Sequence, residues 1–184
     1  NVNPTNINRQ LIAMHSTVGK PKTQILAQRL LDINPRLNIH IKQLYMDEVQ
    51  TEILLDEAKY DYVIDAIDTI SPKIALLTGC LKRKIKVISS MGAGGRIDPT
   101  RIAYADISET YHCALAKAVR KRLKDAGISK GIKVVFSSEQ PDRNAIIRTD
   151  EERNKKSTVG TISYLPAIFG CYLAAYVIRK LSQK

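Results

Sequence analysis

The 184 residues carry 29 Lys and Arg against 18 Asp and Glu, a formal net charge of +11, with 44% hydrophobic and 26% charged residues. That balance excludes a largely disordered chain and suits one domain with a core, while the positive charge points to a phosphate-bearing partner, nucleotide or nucleic acid. Cys80, Cys113 and Cys171 lie far apart; the spacing excludes a Cys-x-x-Cys zinc pair and a disulfide framework, so a cytoplasmic location is expected.

The chain opens on the polar stretch NVNPTNINRQ and reaches STVGKPK at 16–22. Pro21 suits a first helical turn, Ile25, Leu26, Leu30 and Ile33 recur at helical spacing, and Asn34 and Pro35 stop the run. LNIHIKQL at 37–44 alternates as a strand does, and 49–58 reads as a helix. YDYVIDAID at 60–68 reads as a buried strand ending in carboxylates, 71–84 as a helix, and KVISSMGAGG at 86–95 as a strand running into glycines. Residues 101–107 form a short strand in this reading, 112–127 a basic helix ended by Gly127, and 132–139 another strand. Residues 140–160 are charged and aperiodic, and a flexible loop is expected there. From Ile162 to Ile178 no residue is charged, the short limit of a membrane span. Pro166, Gly170, Ser163 and the tyrosines within it favour a buried terminal helix, with no membrane contact. Cys80 and Cys171 sit in such apolar runs and are expected in the core.

Strands alternating with helices predict an α/β fold, a Rossmann-like, mostly parallel sheet flanked by helices. Such sheets bind ligands beyond the carboxyl ends of their strands. Four clusters qualify: Asn6, Arg9 and Gln10; Lys20 and Lys22 at a helix start; Asp65 and Asp68; and the glycine turn at 91–95. Arginine, lysine and helix N–H groups neutralise polyphosphate, and a carboxylate such as Asp68 can hold the Mg²⁺ that bridges its oxygens. Taken singly, each has a plain alternative: solvated charge for Arg9 or Lys22, a helix cap for Asp65 and Asp68, a mere turn for the glycines. No G-x-G-x-x-G occurs in the chain.

In order, TNINRQ, STVGKPK, VIDAIDTISPK and MGAGGRIDPT resemble the ThiF/MoeB/HesA family of ATP-dependent adenylating enzymes. MGAGGRIDPT and STVGTISYLPAIFGCYLAAYVIRKL are similar to the branch that dehydrates threonylcarbamoyladenosine in tRNA. The resemblance spans 1–184 as one adenylating domain and implies that the family's glycine-rich strand, loop and helix would lie upstream of Asn1. It implies ATP and Mg²⁺ but no zinc, with Asn6, Arg9 and Gln10 on the nucleotide, Lys22 on phosphate, and Asp68 on Mg²⁺ beside Asp65. Arg9, Lys22 and Asp68 would be catalytic, and the reaction would be attack of a carboxylate on the α-phosphorus of ATP. The same resemblance implies a homodimer and a tRNA substrate, whose backbone KAVRKRLK at 117–124 and RNKK at 153–156 would contact unless they are merely solvated faces. Two alternatives stand: adenylation of a ubiquitin-like sulfur-carrier protein, with a sulfur-transfer partner, or a non-catalytic RNA-binding or scaffold domain.

Overall fold

A computed structural model describes residues 1–152 and 155–183, with backbone alone for Arg143, 146–152 and 155–158. The chain divides into two compact units, Asn1–Tyr45 and Met46–Lys184.

In the first unit, helix α1 (Lys22–Ile33) begins behind Pro21 and ends at Asn34, whose N–H still bonds Leu30 O. Both boundaries follow from the residues: proline enters a helix without losing a bond, and Asn34 with Pro35 cannot prolong it. Residues 37–44 alternate as expected, yet among the described residues they join no ladder. A strand exists only through its hydrogen-bonded neighbour, and Leu37, Ile41 and Leu44 stay exposed.

The second unit opens with α2 (Glu48–Asp56), capped by the Asp47 carboxylate on Gln50 N–H at 2.8 Å. Then come β1 (Val63–Asp65), α3 (Ile70–Lys82), β2 (Val87–Ser90), β3 (Ile102–Asp106), α4 (Ala114–Asp125), β4 (Lys133–Ser137), β5 (Ile146–Glu152), β6 (Lys155–Val159) and α5 (Tyr164–Ser182). One four-stranded sheet has the order β1-β2-β4-β3, with β1, β2 and β4 parallel and β3 antiparallel to β4. This is the α/β sheet expected, although β1 keeps only three of the residues read as strand.

Alternation along the strands loads both faces of the sheet. Val87, Val134 and Phe136 meet Leu76, Leu77 and Cys80 of α3 and Ala116, Val119 and Leu123 of α4 on one side. Ile88, Ile102 and Val135 meet Leu165, Phe169, Leu173 and Val177 of α5 on the other. The uncharged run is therefore a terminal helix seated on the sheet, and among the described residues no helix is long and apolar enough to cross a membrane. Cys171 departs from expectation: it lies on the exposed face of α5, because its helical position falls opposite Leu173 and Phe169.

The loop expected at 140–160 contains a second sheet, the antiparallel β5–β6 pair, with Ile146 opposite Val159 and Glu152 opposite Lys155. Charge conceals the strands from periodicity, but β-branched residues at 146, 147, 149, 158 and 159 suit extended backbone and a local ladder satisfies its polar groups.

Candidate functional site

Local hydrogen bonds build the first cluster. Asn3 caps the short 3₁₀ turn Pro4–Asn6 through Thr5 N–H, while Asn6, itself buried, accepts from Asn3 N–H at 3.0 Å. Arg9 Nη1 donates to Thr5 O and Asn8 Oδ1, both at 2.8 Å, and Gln10 N–H donates to Asn6 O at 2.9 Å. Two backbone bonds fasten this turn to the second cluster: Val2 N–H to Lys20 O and Gly19 N–H to Val2 O. Gly19 sits at φ +83°, a conformation that lets the chain turn into α1. Lys22 is then the first residue of α1, where free N–H groups add to its charge. Asn6, Arg9, Gln10 and Lys22 thus belong to one compact unit.

The third and fourth clusters share the carboxyl rim of the parallel sheet. Asp65 pairs in register with Ser89, and Met91 N–H donates to Val135 O, so the exits of β1, β2 and β4 lie at the same level. Between the first two exits is a buried ion pair. Lys73 Nζ stands 2.6 Å from Asp65 Oδ2, and both side chains are fully enclosed. Ser89 Oγ donates to Asp65 Oδ2 at 2.6 Å, and Ile67 N–H to Oδ1 at 2.9 Å. Lys73 donates further to Ile67 O at 2.8 Å and Ser90 O at 2.9 Å, fixing the residue before Asp68 and the residue before Met91. Desolvation lowers the Lys73 pKa, and the neighbouring Asp65 charge opposes that shift.

Asp65 therefore turns inward, with its oxygens engaged. Asp68 is exposed beside the rim, accepting a long 3.4 Å bond from Thr69 Oγ1. The N-cap position of α3 is Thr69. Among the described residues no three His, Cys, Asp or Glu side chains group as a metal cage would require. A single exposed carboxylate does fit Mg²⁺, which takes most of its ligands from substrate phosphates and water. The sequence signal for Lys73 is its place on the apolar stripe of Leu76, Leu77 and Cys80.

The glycine turn is shaped by a second buried cation. Arg96, 3% exposed, donates through Nη1 to Gly92 O and Gly94 O, through Nε to Glu139 O, and through Nη2 to His112 O at 2.5 Å. Gly95 has φ +72° and donates to Gly160 O at 2.8 Å. A Cβ on Gly94 would stand 3.0 Å from Val159 Cβ and Cγ1, so the glycines seat the turn against the base of the hairpin. Glu139 reaches back with its carboxylate to Ile97 and Asp98 N–H. Cys113 is the buried N-cap of α4, its Sγ accepting from Ala116 N–H at 3.4 Å. Of the proposed RNA contacts, Lys117, Lys121 and Lys124 are exposed on α4, whereas Arg153 and Asn154 lie outside the described residues and Lys155 and Lys156 are described by backbone alone.

Set beside known proteins, residues 1–184 match the ThiF family throughout. The chain belongs to the ThiF family. The tRNA threonylcarbamoyladenosine dehydratase of Bacillus subtilis is 41% identical over 187 residues, covering 98% of this chain and 73% of that protein. The Escherichia coli tRNA N6-threonylcarbamoyladenosine dehydratase, TcdA, in complex with ATP superposes with a TM-score of 0.88 at 32% identity, covering 100% of this chain and 72% of that one. A second branch of this ThiF lineage is more distant: the molybdopterin-synthase adenylyltransferase of Escherichia coli is 30% identical over 114 residues, covering 61% of this chain and 44% of that protein.

Proposed function

We propose that this ThiF family chain adenylates the threonine carboxylate of threonylcarbamoyladenosine in tRNA at the expense of ATP, and that ring closure then expels AMP, a net loss of water. The observation that carries the reading is the shared rim: Lys73 binds both the carbonyl before Asp68 and the carbonyl before the glycine turn, so these two motifs are held at one edge. Likeness to the tRNA dehydratases over 98% of the chain supports the substrate.

In this mechanism a carboxylate oxygen bonds to the α-phosphorus while the bond from that phosphorus to the pyrophosphate oxygen breaks. Arg9 offsets the charge that develops on phosphate, Lys22 at the head of α1 holds a phosphate oxygen, and Asn6 and Gln10 contact the nucleotide. Asp68 would hold Mg²⁺, which would supply positive charge to offset that of the phosphates. Catalysis of this kind rests on positioning and on preorganised electrostatics, because the protein supplies no covalent step.

The cytoplasmic homodimer belongs to the same proposal. Free cysteines fit a reducing compartment. The outward face of α5, with Ala167, Gly170, Cys171, Ala174 and Ile178 exposed and uncharged, fits a second copy; sedimentation of the purified protein returning a monomer would remove the dimer from the account.

ATP–pyrophosphate exchange tests the substrate. Exchange that starts only with threonylcarbamoyladenosine-bearing tRNA is expected. Exchange driven by the C-terminal glycine of a sulfur-carrier protein would install the alternative suggested by the adenylyltransferase likeness, and exchange with neither would leave a scaffold.

A further inference from the structure

Beyond the phosphate site, the carboxyl rim carries a pair of aromatic rings that the reaction above does not use. Tyr111 is 50% exposed. Its ring stands edge-on to His112 at 5.0 Å between centroids and edge-on to Phe136 of β4 at 5.5 Å. His112 is exposed and sits at φ +51°, unusual for a residue with a side chain. Two bonds hold it there: Nδ1 lies 3.0 Å from Ser138 O, just past β4, and its own carbonyl accepts from Arg96.

Arg96 also grips Gly92 O and Gly94 O. One guanidinium therefore fixes the aromatic pair relative to the glycine turn. A Cβ on Gly92 would lie 3.6 Å from Cys113 Sγ, which confirms that the head of α4 reaches the same rim. From there α4 runs away from the rim with Lys117, Lys121 and Lys124 exposed at helical spacing. No ion pair among the described residues engages these lysines. The acidic groups flanking the stripe are Glu109, whose carboxylate accepts from Asp106 N–H, and Asp125 at the far end.

A rigid, half-exposed aromatic surface next to a reaction site, continued by a row of cations, is the arrangement that receives an unstacked base and the phosphodiester chain attached to it. We propose that Tyr111, held by His112 and Phe136, is a stacking platform for a nucleobase of a single-stranded RNA loop, and that Lys117, Lys121 and Lys124 take the adjoining phosphates. The inference rests on the tRNA reading above and gives it a docking direction, from the glycine turn along α4. Tyr111 is a positioning residue in this scheme. It needs its ring and not its hydroxyl, since any base offers a face to stack on.

The test uses the whole protein, a fluorescent RNA stem-loop with a single-stranded loop as probe, and exchange with full-length modified tRNA. Tyr111→Ala is expected to weaken stem-loop binding about tenfold and to raise KM for tRNA, leaving kcat and the affinity for Mg²⁺-ATP unchanged; Tyr111→Phe is expected to restore both. Lys121→Ala, which leaves the platform intact, should lower the slope of log affinity against log salt by about one. Unchanged binding in Tyr111→Ala, failure of Tyr111→Phe to rescue, or a salt slope that ignores Lys121 would each overturn the platform while wild-type tRNA-dependent exchange persists. Absence of that exchange in the wild type would instead remove the tRNA reading itself. Equal dependence of a sulfur-carrier protein on Tyr111, with no stem-loop binding, would assign the surface to protein and overturn the RNA proposal.

Discussion

Lys73 and Arg96 are both buried at the carboxyl rim of the sheet, yet Lys73 shares its enclosure with Asp65 while Arg96, among the described residues, donates to backbone carbonyls. The difference follows from shape. An ammonium concentrates its charge and is costly to bury without a counter-ion, whereas a guanidinium spreads five donors in a plane and can distribute its charge over several carbonyl dipoles. Lys73 consequently ties two strand exits across the core, and Arg96 moulds a loop at the surface of it. The same contrast separates the two aspartates of the DAID stretch: Asp65 is spent inside the pair, and Asp68 faces solvent.

Breaking the pair should have the largest effect. Lys73→Met leaves the Asp65 carboxylate buried and alone, and a loss of about 3–5 kcal/mol of stability is expected in urea unfolding. The double variant Asp65→Asn with Lys73→Met should recover most of that loss, since neither charge then remains; a double variant as unstable as the single one would refute the role given to the pair.

Asp68→Ala probes the other aspartate. Exchange should fall by about 100- to 1,000-fold while the urea midpoint stays where it is, the reverse of the pattern at Asp65. Next in size is Arg96→Lys: three ammonium donors cannot reach four carbonyls in a plane, and unpaired carbonyls should cost about 1–3 kcal/mol, read as a lower thermal midpoint together with faster proteolysis near the glycine turn. The smallest effect concerns the cysteines. Burial pushes the Cys80 thiol up to about 11, so a maleimide at neutral pH should label exposed Cys171 at once and Cys80 only after unfolding; mass spectrometry of the labelled protein checks the order.

How much of this was legible depends on where each signal lay. The bounds of α1 were plain in Pro21 and Asn34, because local residues decide helix ends, and α3 at Ile70–Lys82 falls within two residues of the 71–84 read as helix. The strand at 37–44 and the loop at 140–160 misled, since a ladder depends on a partner that periodicity does not register. Arg9, Lys22 and Asp68 stand out in the sequence by their motifs. Lys73, Arg96 and Glu139 do not, because their contacts join segments distant in the chain: Arg96 reaches His112 and Glu139, and Lys73 reaches Ser90. Cys171 was misplaced because the uncharged run at 162–178 offers no charged face from which to infer the exposed side.

The most direct measurement is a crystal structure of the protein grown with Mg²⁺ and a non-hydrolysable ATP analogue. Triphosphate density is expected against Arg9 and Lys22, with the metal at the Asp68 carboxylate and the Lys73–Asp65 pair undisturbed. A nucleotide seated away from Asp68, or a metal held by other ligands, would contradict that expectation.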